Sequence, residues 1–510
     1  MRQGTDDAGQ DADDDPRAAA AASCPVRHGG PLPLYRGTGA NVPWARLREA
    51  HGGLAPVEVG PGVPGWLLLG YKENLQVLRD QTHFSADPRP WSPAGRAPAR
   101  GGALARDGEE HQRLREPIVD ALAQVGTPQL VPVVERAAVR LVGAVAAEGR
   151  ADLIGRFAAP LPALVLNELF GLPDAYGSLL ADLTDRLWSG DRERADPAAE
   201  AIRAYFTGLV ARKRAEPGQD ITSRLLEHPH ALTDDEAVEA LSLLWETGHE
   251  PTTHLIGNCL LRLLEDPAVW TAYLGGTLTP EDFVDYVMWT DAPIRMLAGR
   301  YSTMDIRFSG ATIRRGEPLV FGFTAAHADQ SAVRGGGDPR ALAGNRSHLA
   351  WGAGAHRCPA TAFARELVRT AIDVCVDRLR GMVLSVESED LRRRDSMTVN
   401  GLAELPVRFT ATGEKAPEEA ARAPRPPHVR WVRRRRAPAS QGARYQAPLA
   451  KAAGEGPAEK PPVRRGAAAA ARKKAPPALG ARYQAPFARE EPGPDPLERL
   501  LSSWTGRDRS

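Results

Sequence analysis

The chain is poor in cysteine and aromatic residues, carries almost no net charge, and has no long apolar run. Each shortage excludes something. The 4 cysteines among 510 residues (Cys24, Cys259, Cys358 and Cys375) show no paired metal-type spacing, and they do not suit a disulfide framework. A formal net charge of +1 gives no overall pull toward a polyanion, so charge has to be read region by region. No segment approaches the roughly 20 apolar residues of a membrane-spanning helix. The opening MRQGTDDAGQDADDD is acidic and has no apolar stretch, unlike a signal peptide or a mitochondrial-type presequence. The expectation is a soluble protein of the reducing cytoplasm, with no membrane partner.

What is present falls into three regions. Residues 1–30 are rich in Asp and Ala and poor in large apolar side chains, so they read as disordered. From 31 to 412 the composition is globular, with helical periodicity at 129–149, 197–215 and 234–265. Sheet-like runs are few, near 56–70, 304–323 and 383–411, and show no βαβ alternation, which predicts a mainly α class with small peripheral β-sheets. Residues 413–510 turn to Ala, Pro, Arg and Lys and read as a disordered basic tail. Within it GARYQAPLA (442–450) returns as GARYQAPFA (480–488), read either as bivalent docking of a protein partner or as chance duplication. The basic cluster RWVRRRR (430–436) is an ordinary low-complexity run before it is a nucleic-acid site. At the very end DPLERLLSSW sets Leu497, Leu500, Leu501 and Trp504 on one face of a helix that Asp495 caps and Pro496 opens; that face needs a partner.

Cys259 and Cys375 lie in apolar helical runs and read as inert packing. Cys358 differs, because HLAWGAGAHRCPATAFARELV (348–368) places it between a glycine-rich loop and a helix start, where backbone N–H groups and the helix dipole favour the thiolate. A thiolate there is either a nucleophile, with His356 as its base only if the loop bends back, or a metal ligand.

The full loop, W-G-A-G-A-H-R-C-P-A, resembles the haem-binding signature of the cytochrome P450 superfamily, F-x-x-G-x-[HR]-x-C-x-G, with Trp351 for Phe and Ala360 for Gly. Other landmarks follow in the family's order. DGEEHQRLREPIVDAL (107–122) is similar to its C-helix, with His111 and Arg115 on one face. GRYSTMDIRFSGATIRRGEPLVFGFTAAHAD (299–329) looks like its β-rich stretch, led by Arg300. The resemblance implies Cys358 as the iron ligand of haem b, and His111, Arg115, Arg300 and His356 as partners for the two propionates, which need cationic donors if buried.

AVEALSLLWETGHEPTTHLIGNCLLRLLEDP (237–267) resembles the family's long I-helix, with T-G-H-E-P-T-T in the place of [AG]-G-x-[DE]-T-[TS]. The resemblance makes Gly248 the point where oxygen and substrate approach, and Glu250 the acid of an acid–alcohol pair that feeds protons. Pro251 stands where the alcohol belongs. Thr252 is the nearest replacement, about 100° further round the helix. A second departure lies in FVDYVMWTDAPIR (283–295), where Tyr286 and Trp289 occupy the positions of the family's E-x-x-R ion pair. Joint loss of both charges is tolerable, whereas loss of one strands the other. Tyr286 and Trp289 offer O–H and indole N–H donors to each other or to the meander before the cysteine. Asp285 is one residue too early and on a different face, so it is not expected to stand in for the glutamate. The closest resemblance is to an actinobacterial branch in which Trp replaces that arginine.

The expectation is therefore a cytochrome P450 fold over residues 31–412, acting as a haem-thiolate monooxygenase that inserts one atom of O2 into a small organic substrate. No flavin or nicotinamide fingerprint accompanies it, so the resemblance implies separate ferredoxin and ferredoxin reductase partners. A basic face including Arg357 and Arg365 would steer an acidic ferredoxin. The rival is a haem-binding scaffold with little oxygenase activity, docking partners through the tail.

Overall fold

The computed structural model describes residues 31–34, 42–91, 102–187, 192–329, 342, 344–411 and 495–507. The acidic segment 1–30, both copies of the duplicated motif and the arginine cluster lie outside the described residues. The helices are α1 (Trp44–His51), α2 (Tyr71–Arg79), α3 (Gly108–Ala123), α4 (Thr127–Gly143), α5 (Pro160–Leu169), α6 (Asp174–Leu187), α7 (Arg192–Ala215) and α8 (Ile221–Leu226). They continue as α9 (Asp234–Glu265), α10 (Pro267–Leu274), α11 (Pro280–Thr290), α12 (Phe323–His327), α13 (Thr361–Arg378) and α14 (Pro496–Arg507). Helix predominates, as the periodicity predicts.

The longest helix, α9, is fixed at both ends by local chemistry. Thr233 accepts from the Glu236 amide and the Glu236 carboxylate returns to the Thr233 amide, a closed capping box, with Asp234 and Asp235 also in the first turn. Asp266 ends it, and Pro267 opens α10. From Thr252 to Leu261 every residue is buried, whichever way it faces, the position of a helix enclosed by others. One apolar cluster joins α9 to α4, α11 and α13; a second joins it to α3 and α5 through α8.

The sheets sit at the edge, as expected. A hairpin of β2 (Leu54–Gly60) and β3 (Val63–Leu68) carries a six-stranded sheet that also takes in β1 (Leu32–Pro33), β4 (Phe84–Ser85), β6 (Leu297–Ser302) and β9 (Pro318–Phe321), in the order β1-β2-β3-β9-β6-β4. Strand β9 lies parallel to β3 and antiparallel to β6, which delivers Arg300 toward the interior. Among the described residues a three-stranded sheet of β5 (Arg150–Asp152), β10 (Val383–Leu384) and β11 (Pro406–Arg408) and a two-stranded one of β7 (Ile306–Phe308) and β8 (Ala311–Ile313) complete the set.

The terminal helix finds its partner within the same chain. Asp495 accepts from the Leu497 amide at 2.8 Å and caps α14, as the sequence indicates. Leu497 is wholly buried and Trp504 nearly so, in the cluster that holds α6 and α7. Gly208 on α7 makes the seat, since a Cβ there would stand 2.8 Å from the Leu497 side chain. Arg212 of α7 pairs with Asp495, and Trp504 donates to Asp182 of α6 at 3.0 Å. The end of the tail is therefore part of the fold, and its apolar face is covered.

Candidate haem site

The cysteine loop is shaped by two glycines with positive φ, Gly352 (68°) and Gly354 (70°), a backbone region that costs other residues about 1–2 kcal/mol. Gly354 also backs onto α2, where a Cβ would meet the Leu78 carbonyl oxygen at 2.4 Å. The loop closes when the Cys358 amide donates to the Trp351 carbonyl at 2.8 Å and the Thr361 hydroxyl donates to the Cys358 carbonyl at 3.1 Å. Cys358 thus precedes α13 by one short turn, as expected. Burial raises its thiol pKa, opposed by the Ala360 amide, Arg115, the Thr361 hydroxyl and Arg357. The helix start alone does not secure the thiolate; a bound cation would.

The four basic residues expected around it converge. The His111 and His356 rings lie 4.0 Å apart, and His356 Nε2 is 3.3 Å from Asp107. The Arg115 guanidinium donates to the Arg357 carbonyl and stands close enough to Cys358 to interact electrostatically. Arg300 is 5 % exposed and packs over Phe321, and among the described residues its guanidinium donates only to the carbonyl of its neighbour Gly299. Burial lowers the pKa of Arg300 to about 10, partly offset by Asp107. Burial, with His356 and Arg115 beside it, lowers that of His111 to about 4. Desolvation works against the Asp107 carboxylate, yet hydrogen bonds from His356, Ser85 and the Ala86 amide bring it down to about 2.

This donor set tests whether haem fits. Asp107 is the carboxylate set against His111, Arg115, Arg300 and His356, and His111 Nε2 is buried with no hydrogen-bond partner among the described residues. Such an excess of buried donors suits a dianionic ligand. Among the described residues no group of three or more His, Cys, Asp or Glu assembles to hold a metal ion, so a metal here relies on Cys358 and a ligand framework of its own.

The central helix departs from expectation in detail. Helix α9 runs unbroken through Pro251. Glu250 is buried and accepts from His254 Nε2 at 3.1 Å, with Arg394 also at 3.1 Å. Burial would raise its carboxyl pKa, but Arg394 and His254 together hold it well below the ordinary range, so it is ionised. Gly248 faces α5, where a Cβ would stand 3.2 Å from the Leu166 side chain, so the close neighbour it admits is protein. Thr252 is buried at 7 % exposure, whereas Thr247, which shares the Pro251 side of the helix, is exposed. The sequence reading missed Thr247, although it stands four residues before the proline.

The segment beneath the cysteine also differs. Trp289 donates its indole N–H to the Asn345 carbonyl at 2.8 Å, so it grips the meander as one of the two expected uses of that donor. Its ring meets those of Tyr71, His327 and His348. Asp285 is fully buried and accepts from His348 Nε2 at 3.0 Å and from Arg365, so it holds cationic and donor groups after all. The different face that argued against it is the face turned toward α13 and the meander. Arg365 is correspondingly engaged, which leaves Arg357 as the exposed member of the expected basic pair.

A cysteine on a glycine loop, basic groups gathered for a dianion, and a long central helix in a helical fold with peripheral sheets together define a haem-thiolate protein. The comparisons place it further. The chain is 30% identical over 388 residues to cytochrome P450 107B1 of Saccharopolyspora erythraea, covering 72% of this chain and 94% of that protein. It is also 30% identical over 361 residues to the mycinamicin IV hydroxylase/epoxidase of Micromonospora griseorubida, covering 68% and 90%. In structure it resembles CYP154C4 from Streptomyces sp. W2061, with a TM-score of 0.66, 28% identity, and coverage of 74% of this chain and 97% of that one. It likewise resembles the myxobacterial cytochrome P450 CYP267B1 in complex with myristic acid, with a TM-score of 0.64, 29% identity, and coverage of 72% and 95%. No protein-family model matches the sequence. The chain belongs to the cytochrome P450 family, here of the bacterial, actinobacterial type, and is a haem b oxidoreductase of the monooxygenase class. No described helix is long and apolar enough to cross a membrane.

Proposed function

We propose that this monooxygenase hydroxylates a small, mainly apolar organic molecule in the cytoplasm, with electrons delivered by a separate ferredoxin and its reductase. The observation that carries the reading is the arrangement of Cys358, half-buried after a loop shaped by Gly352 and Gly354, beside His111, Arg115, Arg300 and His356. Cys358 would hold the iron, and the four basic residues would take the propionates. The haem supplies the redox centre at which O2 is reductively cleaved and one oxygen atom passes to the substrate. Substrate class is supported by a relative named for mycinamicin IV and by a neighbour solved with myristic acid. A ferredoxin would meet the cysteine side of the molecule, where Arg357 is exposed.

Protons would come through Glu250. Its carboxylate is fixed between His254 and Arg394, and the Arg394 side chain is 31% exposed, which links the buried acid to bulk water. Pro251 has no N–H to give the Thr247 carbonyl, so that carbonyl lacks its usual helical donor, and the exposed Thr247 hydroxyl donates to the Leu243 carbonyl at 2.6 Å and keeps its lone pairs for a further donor. Those two groups favour Thr247 over Thr252 as the polar partner for an ordered water. The reading as a silent haem scaffold rested on Pro251 and the missing ion pair. Its support weakens because α9 is continuous and because Asp285 brings a carboxylate to the meander.

The test is Cys358→Ala. The reduced carbon monoxide complex of the parent is expected to give the long-wavelength band of thiolate-ligated haem, and the variant is expected to lose it together with product formation in a ferredoxin-supported assay. A variant that keeps the thiolate band removes Cys358 as the ligand.

A further inference from the structure

We infer that Asp285 is the positioning residue for the cysteine loop, doing from a new place what a paired glutamate and arginine do in relatives; this rests on Cys358 being the iron ligand. Three elements far apart in sequence meet at this one carboxylate, which is 0% exposed. From the meander before the cysteine comes His348, also fully buried, donating Nε2–H to Asp285 Oδ1 at 3.0 Å. From α13, after the cysteine, comes Arg365, whose guanidinium donates to the same oxygen. Arg346, again on the meander, sets its Nε 3.4 Å from Oδ2. One buried charge on α11 therefore holds the chain on both sides of Cys358.

The geometry connects this clamp to the loop itself. The His348 ring lies 6.5 Å from that of Trp351, the residue whose carbonyl accepts from the Cys358 amide. Arg365 sits in the second turn of the helix that Cys358 precedes. Around the carboxylate, Trp289 pins the Asn345 carbonyl, and the His327 ring accepts from the Leu349 amide at 2.9 Å. These neutral contacts fix the path of the meander, and Asp285 adds the charge that joins it to α13. The substitution of Tyr286 and Trp289 for a charged pair is thereby accounted for. The carboxylate has moved one residue back, and its cation has moved from the same helix to the helix after the cysteine. A buried ion of this kind keeps its place only while its partners remain, because a member left alone is strongly unfavourable.

The experiment uses the full-length holoprotein. Asp285→Asn keeps the shape and removes the charge. With circular dichroism unchanged, haem affinity, measured by transfer to apomyoglobin, is expected to fall about 10- to 100-fold, the usual range for groups that orient a metal ligand. The reduced carbonyl band is expected to move largely to the shorter-wavelength form of haem without a thiolate, and Asp285→Glu to recover part of both. Parental haem affinity and an intact thiolate band in Asp285→Asn overturn the inference. If that variant does not fold, Arg365→Gln removes one arm of the clamp and is read in the same two ways: weaker haem binding with loss of the thiolate band supports the inference, and parental values overturn it. Cys358→Ala run in parallel separates the two claims. If it loses the thiolate band while Asp285→Asn keeps it, only the clamp falls; if it keeps the band, the ligand assignment beneath the clamp falls first.

Discussion

Gly352 and Gly354 make a matched pair for testing how tightly the cysteine loop is held. Their φ values are 68° and 70°, so alanine at either position carries the same backbone penalty of about 1–2 kcal/mol. The surroundings differ. At Gly352 a Cβ meets nothing closer than 3.8 Å, an ordinary contact. At Gly354 it meets the Leu78 carbonyl at 2.4 Å and the Arg79 Cα at 3.1 Å, both main-chain atoms that cannot turn aside. Restoring the first distance to the 3.4 Å of normal contact moves the loop off α2 by about 1 Å, a displacement that at a reacting centre costs on the order of a hundredfold. Gly352→Ala should therefore lose only the backbone term, about 1–2 kcal/mol in urea unfolding, and retain haem and the thiolate band. Gly354→Ala should lose more stability and most of its thiolate-ligated haem. Equal behaviour of the two variants would refute the reasoning, since only the contact with Leu78 separates them.

Further predictions concern acid stability and the terminal helix. Burial, with His348 beside it, lowers the pKa of His327 to about 3, and its Nε2 accepts from the Leu349 amide, so it is neutral in the fold. An unfolded chain takes that proton near its ordinary pKa of about 6.5, so unfolding becomes easier as pH falls from there toward about 3. The loss should be on the order of 4 kcal/mol in urea titrations across that window, and His327→Gln should flatten the slope. Trp504→Ala removes a buried ring and the donor to Asp182, worth about 3–5 kcal/mol of docking. A helix as short as α14 does not persist alone, so limited proteolysis within 495–507 should speed up while haem content stays constant. Unchanged protease resistance would count against the docking.

The parts of the site that could be read from the sequence are those encoded within one short stretch. Cys358, its glycines and the start of the following helix lie within about ten residues, and His111 with Arg115 share one helical face, so short local motifs could carry the resemblance that singled them out. The clamp at Asp285 was not legible, because it joins positions 285, 348 and 365, and nothing local says which face of α11 will meet α13. Thr252 was named with its offset of about 100° from Pro251 in view, whereas Thr247, one turn earlier on the proline's side of the helix, stands at the [AG] position of the family's pattern, where no hydroxyl is looked for. Gly248 was singled out as an approach to the haem, and the Leu166 side chain that would stand 3.2 Å from a Cβ there belongs to another helix, which no local pattern announces. The terminal helix was legible as a helix with a naked face, but its seat depended on Gly208, a residue with no local signal.

That seat changes what the last helix is. With α14 lodged against α6 and α7, residues 495–507 act as a plug: whatever pulls on this helix must first draw Leu497 off Gly208 and Trp504 off Asp182, and the α6–α7 pair loses one wall of its apolar cluster when it goes.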